Sequence, residues 1–168
     1  MIVIEPAETE RQFQAVRDLF RAFVVWHRET HLDDHELIDR YFDAEAFESE
    51  LDGLPGIYAP PAGRLLVTFV DGAPAGCVGL RDLGDSVCEM KRMFVRPAFQ
   101  RRGIGRRLAE RVLAEAREVG YRRMRLDTSW RQTDAISLYT SLGFRQVEPP
   151  DSLPAELSVW LRFFERDL

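Results

Sequence analysis

Apolar residues recur along this chain at two alternating spacings, and the switches between them mark out its elements. Ile2, Val3 and Ile4 read as a short strand over residues 2 to 4. From about Glu8 to Glu29 the interval lengthens, so that Phe13, Val16, Phe20, Phe23, Val24 and His27 share one helical face as a core-packing stripe. A second helical stretch carries Leu37, Ile38, Tyr41, Phe42, Phe47 and Leu51 and stops at Gly53-Leu54-Pro55-Gly56. Arg64 to Val70 and Ala75 to Leu80 flank Asp71-Gly72, a dipeptide suited to a tight hairpin, and Val87 to Val95 completes a three-stranded meander. The helix predicted from Gly103 to about Val119 places Ile104, Leu108, Val112, Leu113, Ala116 and Val119 on one face, with Gly120 in the position of a C-terminal cap. Arg123 to Ser129 reads as a strand, Thr133 to Leu142 as a short helix, Gly143 to Val147 as the start of another strand, and 149 to 154 as a proline-rich connector. From Leu157 to Glu165 the residues Leu157, Val159, Leu161 and Phe163 alternate with Ser158, Trp160 and Arg162, which predicts a final strand with one buried face.

No repeat, low-complexity tract or linker interrupts this series, and 168 residues form one domain's worth of chain, so residues 1–168 are expected to fold as a single domain. Hydrophobic residues make up 45% and charged residues 30%, which excludes a disordered or fibrous chain. The opening Met1-Ile2-Val3-Ile4-Glu5-Pro6 has no basic stretch before a long apolar run, and no apolar segment approaches the ~20 residues of a membrane span. A soluble cytoplasmic protein with no membrane partner is the expectation. Cys77 and Cys88 lie in apolar strands without metal-ligand or redox spacing and read as buried thiols.

The net charge of −5 hides a segregation. Residues 33 to 52 carry Asp33, Asp34, Glu36, Asp39, Asp43, Glu45, Glu48, Glu50 and Asp52 against Arg40 alone, whereas residues 91 to 107 carry Lys91, Arg92, Arg96, Arg101, Arg102, Arg106 and Arg107 with no acid. The acidic run is either a wall facing a basic cofactor site, which would suit a cationic substrate, or simply a solvated face. Nucleic acid is not an expected partner, because the overall charge is negative and one diphosphate already accounts for the basic run.

That diphosphate is implied by Gln100-Arg101-Arg102-Gly103-Ile104-Gly105, which joins the strand ending at Val95 to the helix starting at Gly103. A helix N-terminus carries partial positive charge, so Arg101, Arg102, Arg106 and Arg107 disfavour the helix unless an anion sits among them. First-turn amides can donate to such an anion, and Gly103 and Gly105 clear its approach. A nucleotide-hydrolysing P-loop is excluded by the spacing and by the missing lysine. A dinucleotide-binding turn competes weakly: Asp127 falls about twenty residues on, as a ribose-binding acid would, but Leu108 stands where a third small residue belongs and the loop from Val95 is long.

At these residues the chain resembles the GNAT superfamily of N-acetyltransferases, whose signature Gln/Arg-x-x-Gly-x-Gly/Ala is matched at every fixed position by Gln100 to Gly105. The resemblance extends through Glu89 to Pro97, Ala135 to Tyr139 and Gly143-Phe144, covering roughly residues 64 to 148. It implies an α/β fold of the α+β type, with a mixed, mostly antiparallel sheet of six to seven strands flanked by about four helices. It also implies acetyl transfer from acetyl-CoA to a primary amine of a small molecule or peptide, without a metal, and it leaves a homodimer open.

By the same resemblance, backbone groups of Met93, Phe94 and Val95 would pair with the pantetheine arm, and amides of Arg101, Arg102, Gly103, Gly105 and Arg106 would take the diphosphate, with Gln100 and Ile104 of the same motif also among the cofactor-binding residues. Gln132 stands where the family often has an asparagine contacting the pantetheine. Tyr139 resembles the tyrosine that protonates the leaving thiolate. Glu89 matches a strand glutamate used by some members as general base, and its six-residue separation from Val95 predicts a shared strand face; a carboxylate paired with Lys91 or Arg92 is the alternative.

An alkyl ammonium with a pKa near ~10.4 must lose a proton before it attacks a thioester, so a base or an acidic relay is required. His27, His31 and His35 have a spacing that could bind zinc on one helix, but Asp33 and Asp34 look like the cap of a new helix, which breaks the set and leaves substrate contact by one of them open. A non-catalytic acyl-CoA-binding or regulatory module is the alternative from another functional class.

Overall fold

A computed structural model describes residues 1–168. Seven strands form one sheet: β1 (Ile2–Pro6), β2 (Arg64–Val70), β3 (Ala73–Gly84), β4 (Val87–Val95), β5 (Arg123–Ser129), β6 (Arg145–Val147) and β7 (Leu161–Asp167), in the order β1-β2-β3-β4-β5-β7-β6. Every neighbouring pair is antiparallel except β4 and β5. The helices are α1 (Glu10–Thr30), α2 (His35–Tyr41), α3 (Ala44–Asp52), α4 (Ile104–Val119), α5 (Thr133–Ser141) and α6 (Ala155–Trp160). No helix is long and apolar enough to cross a membrane.

Two hydrophobic cores cover the two faces of the sheet. Strand alternation assigns residues to them, with Leu65 and Val67 of β2 packing in the core of α1 and Leu66 in that of α4. A capping box starts α1: the Thr9 hydroxyl accepts from the Gln12 amide while the Gln12 side chain accepts from the Thr9 amide at 2.9 Å. The predicted stripe then buries Val16, Phe20, Phe23 and His27, together with Leu19.

Strand β4 departs from regular pairing at two places. Cys77 lies opposite Phe94 and Gly79 opposite Lys91, so Arg92 and Met93 face Val78 alone, a bulge in which Arg92 adopts φ 57°. The bulge reverses the side-chain alternation. Met93 and Val95 therefore pack with Cys88 and Met90 on the α4 side, while Phe94 belongs to the α1 core. The predicted shared face of Glu89 and Val95 does not hold for this reason. Secondly, β4 pairs with β5 only from Val87↔Arg123 to Glu89↔Arg125. Beyond Glu89 the strands part, and β5 continues its pairing with β7 as far as Ser129. A cleft opens between the C-terminal halves of two parallel strands.

Elsewhere the sequence expectations need two corrections. The acidic stretch is not one helix: a 3-10 turn at Leu32–Asp34, α2 and α3 succeed one another, and the Asp43 carboxylate accepts from the Ala46 amide at 2.9 Å to start α3. The expected strand from Leu157 is α6 as far as Trp160. Leu157, Trp160 and Leu161 are buried at intervals of three and four, a spacing that the alternating Leu157-Val159-Leu161 pattern conceals. Both changes raise the helix count above the four expected.

Candidate active site

The loop leading into α4 has its backbone donors free. No amide from Arg101 to Arg106 donates to any group of the chain, and the first α4 amide with a partner is that of Arg107, which bonds the Gly103 carbonyl at 3.1 Å. Gly103 caps the helix with φ 73° and offers no side-chain acceptor. The loop is nevertheless fixed, since the Gln100 amide nitrogen donates to the Val95 carbonyl at 3.0 Å. Of the loop arginines only Arg106 has an acidic partner, Glu110 at 3.5 Å, and it also donates to the Ser141 hydroxyl at 2.7 Å. The Arg102 guanidinium lies 5.6 Å from the Phe99 ring centre.

From this loop a groove of about 560 Å³ runs along the open edge of β4. Met93, Phe94 and Val95 line one side, where the parting from β5 leaves the strand edge unpaired. Gln100, Arg101, Gly103, Ile104 and Gly105 line its cradle end, while Arg102 and Arg106 stand outside the lining. Gln132 and Tyr139 line the groove and also the adjoining cleft between β4 and β5.

Local folding explains the position of Tyr139. At the end of α5, Gly143 turns the chain with φ 85° and the Phe144 amide donates back to the Tyr139 carbonyl at 3.1 Å. The Phe144 ring then packs edge-on to the tyrosine with centroids 6.0 Å apart. Burial, and secondarily the charge of Asp127, push the Tyr139 phenol above its usual range, so the side chain is a proton donor at neutral pH. Gln132 is turned to the end of β5: its carbonyl oxygen accepts from the Thr128 hydroxyl at 2.7 Å and from the Ser129 amide at 3.3 Å. Only its amide nitrogen is left for the groove.

The cleft brings together residues that the sequence pattern does not join. Asp127 of β5 accepts a 2.6 Å hydrogen bond from the Tyr41 hydroxyl at the end of α2. Burial raises the pKa of its carboxyl, against the lowering effects of the Tyr41 hydrogen bond and Lys91. Burial and neighbouring Arg92 lower that of Lys91. The Arg92 guanidinium is held by Glu50 at 3.0 Å and lies 4.9 Å from the Phe42 ring centre. Phe23, Phe42 and Trp160 supply the aromatic walls. The Ser129 hydroxyl, buried in the same lining, has no hydrogen-bond partner. From the sequence, Asp127 suggests only a ribose ligand. The usable signal is its place near the C-terminal end of a strand following a parallel crossover, where α/β sheets open their ligand crevices.

Glu89 is not in the lining of either cavity. It accepts from Arg81 Nε at 2.9 Å and lies 3.7 Å from Lys91 Nζ, so the structure gives it the ion-paired environment raised as the alternative. Several members of the acidic run are likewise spent on the fold. Asp34 pairs with Arg131 at 2.5 Å and accepts from the Trp160 indole at 3.0 Å, Asp39 pairs with Arg28, and Asp43 caps α3. None of Asp33, Asp34, Glu36, Asp39 or Asp43 lines the cleft, contrary to the cationic-substrate wall that their clustering suggests.

Comparison with known proteins bears on this arrangement. The family model described as the acetyltransferase (GNAT) family matches residues 14–144. An uncharacterised N-acetyltransferase of Dictyostelium discoideum is 27% identical over 209 residues, spanning 88% of this chain and 92% of that protein. An IAA acetyltransferase of Azospirillum brasilense is 36% identical over 117 residues, spanning 68% of this chain and 76% of its own length. Among solved structures, the PaiA N-acetyltransferase of Thermoplasma acidophilum, crystallised in complex with coenzyme A, superimposes with a TM-score of 0.77 over 100% of this chain and 99% of that one, at 16% identity, a likeness of fold.

Proposed function

Since the chain belongs to the acetyltransferase (GNAT) family, we propose that it transfers the acetyl group of acetyl-CoA directly to a primary amine of a small molecule or peptide. The observation that carries this reading is the continuity of the unpartnered amides of Arg101 to Arg106 with a groove that ends at Tyr139 and the β4–β5 cleft. A diphosphate in the cradle would satisfy those amides and the arginines around them. The unpaired edge of Met93 to Val95 would take the pantetheine arm as an added strand, with the Gln132 amide nitrogen beside it, and the thioester would lie at the junction of groove and cleft.

In the cleft, Asp127 anchors the acceptor's ammonium, with Tyr41 fixing the carboxylate in place. Tyr139 donates its proton to the departing thiolate. Glu89, in its pair with Arg81 and near Lys91 and outside the lining of the cleft, sets the charge at the root of the cleft. Positioning and electrostatics supply the rate, without an acyl-enzyme. Both cysteines support direct transfer: burial pushes the Cys77 thiol far up and that of Cys88 to about 12, which leaves no thiolate nucleophile near neutrality.

The test is release of free thiol from acetyl-CoA with a panel of primary amines, with acetylated product identified by mass. Turnover with at least one amine is expected. Tight CoA binding with no turnover across a broad panel would make the protein an acyl-CoA-binding module instead.

A further inference from the structure

An ammonium anchored in an enclosed cleft needs a route by which its proton leaves. Two imidazoles connect the cavities. His27, only 2% exposed, lines the cleft, and His31, one helical turn on, lines the groove. Their Nδ1 atoms face each other at 3.3 Å. Only one of the two can carry a proton in that gap, so one ring donates and the other accepts. Neither Nε2 has a partner in the chain. Phe23 at 4.8 Å and Trp26 at 5.1 Å between ring centres hold His27 in orientation, and Trp26 packs edge-on to His31.

Resting on the acetyltransferase reading, we infer that His27 and His31 form a proton relay from the acceptor cleft to the cofactor groove. His27 Nε2 takes a proton from the ammonium held at Asp127, the His27 Nδ1 proton passes to His31 Nδ1, and the His31 Nε2 proton goes to water in the groove. One N–H bond breaks and one forms at each step, and a single proton is moved. The tautomers of both rings invert. They are restored after product leaves, when water supplies a proton at His31 Nε2, the His31 Nδ1 proton returns to His27 Nδ1, and water takes the proton from His27 Nε2. Asp34 favours the imidazolium formed in transit at either ring, against the burial that disfavours it. Burial and then His31 lower the His27 pKa to about 4, and burial lowers that of His31, so both rings rest neutral. The charged and titratable groups around the pair are Asp34 and Arg131 beside His31, and Tyr41, Lys91, Arg92, Asp127 and Tyr139 in the lining shared with His27.

The variants His27→Gln and His31→Gln test the relay, with the panel's best primary alkyl amine as acceptor and CoA affinity followed by calorimetry. Each is expected to lower kcat by about 100-fold, the scale of one lost acid–base group, with CoA affinity within a few-fold of the unaltered protein. Their kcat should also climb about tenfold per pH unit towards the amine's own pKa, because only amine that is already neutral reacts. A uniform fall in kcat with an unaltered pH profile would mark the pair as packing and overturn the relay, as would unchanged kcat. Failure of the unaltered protein to bind CoA would remove the acetyltransferase reading and the relay with it.

Discussion

The Tyr41 hydroxyl donates to the Asp127 carboxylate across 2.6 Å, tying the end of α2 to the strand that borders the cleft. These residues stand 86 positions apart in sequence; their contact ties α2 to the site, as the Glu50–Arg92 pair ties α3, while Asp34 and Asp39 are turned elsewhere.

Asp127→Asn is expected to separate activity from stability. Burial raises the carboxyl's pKa in the folded state, so stability falls as pH rises from the unfolded value near ~3.9 through the folded one, and the full cost persists above it. Asparagine keeps the Tyr41 hydrogen bond without that cost. The variant should melt higher than the unaltered protein at pH 8, with the difference shrinking below pH 4, while turnover drops by about 100-fold or more. Lower stability at pH 8 would show that the charged carboxylate holds the fold together.

Tyr139→Phe should reduce kcat by about 100-fold with CoA affinity nearly unchanged, since the hydroxyl bonds no group of the chain and the ring packing on Phe144 survives. Because the phenol's pKa is raised, the unaltered enzyme should show no loss of activity from tyrosine ionisation up to about pH 10. Steady-state kinetics across pH would reveal either failure, and an unchanged kcat would remove the general-acid role.

Gly103→Asp places a carboxylate where the cradle's anion belongs. Aspartate tolerates left-handed backbone better than most residues, and a Cβ at this position meets nothing within 4 Å, so the fold should survive. CoA affinity should fall by about tenfold or more through charge conflict at the helix N-terminus. Equal affinity in the variant, read by fluorescence or calorimetric titration, would place the diphosphate elsewhere.

Glu89→Gln distinguishes a charge-setting residue from a base. With its carboxylate paired to Arg81 and outside the cleft lining, the substitution should change kcat by less than about tenfold and leave the shape of the pH profile intact. Loss of the acidic limb of that profile would restore Glu89 as the proton acceptor.

Much of the cofactor side is legible in the sequence because backbone geometry carries it. The Gly103 turn, the amphipathic α4 and the Tyr139 to Gly143-Phe144 spacing each express a local rule, and each folds as its residues suggest. The acceptor side depends on contacts between distant elements. Neither the meeting of Tyr41 with Asp127 nor the pairing of Glu50 with Arg92 leaves a periodic trace, and the β4 bulge that turns Glu89 and Val95 to opposite faces adds no glycine or proline to β4. The Leu157 to Trp160 segment reads as a strand because its apolar positions satisfy both periods, and burial of Trp160 beside Asp34 favours the helix.

Whether the arginine-flanked turn holds coenzyme A is decided by isothermal calorimetry, titrating CoA and, separately, NAD into the folded chain. One-site binding of CoA and none of NAD is predicted. Absence of any heat with CoA, or binding of NAD in its place, would contradict the cradle and every role assigned around it.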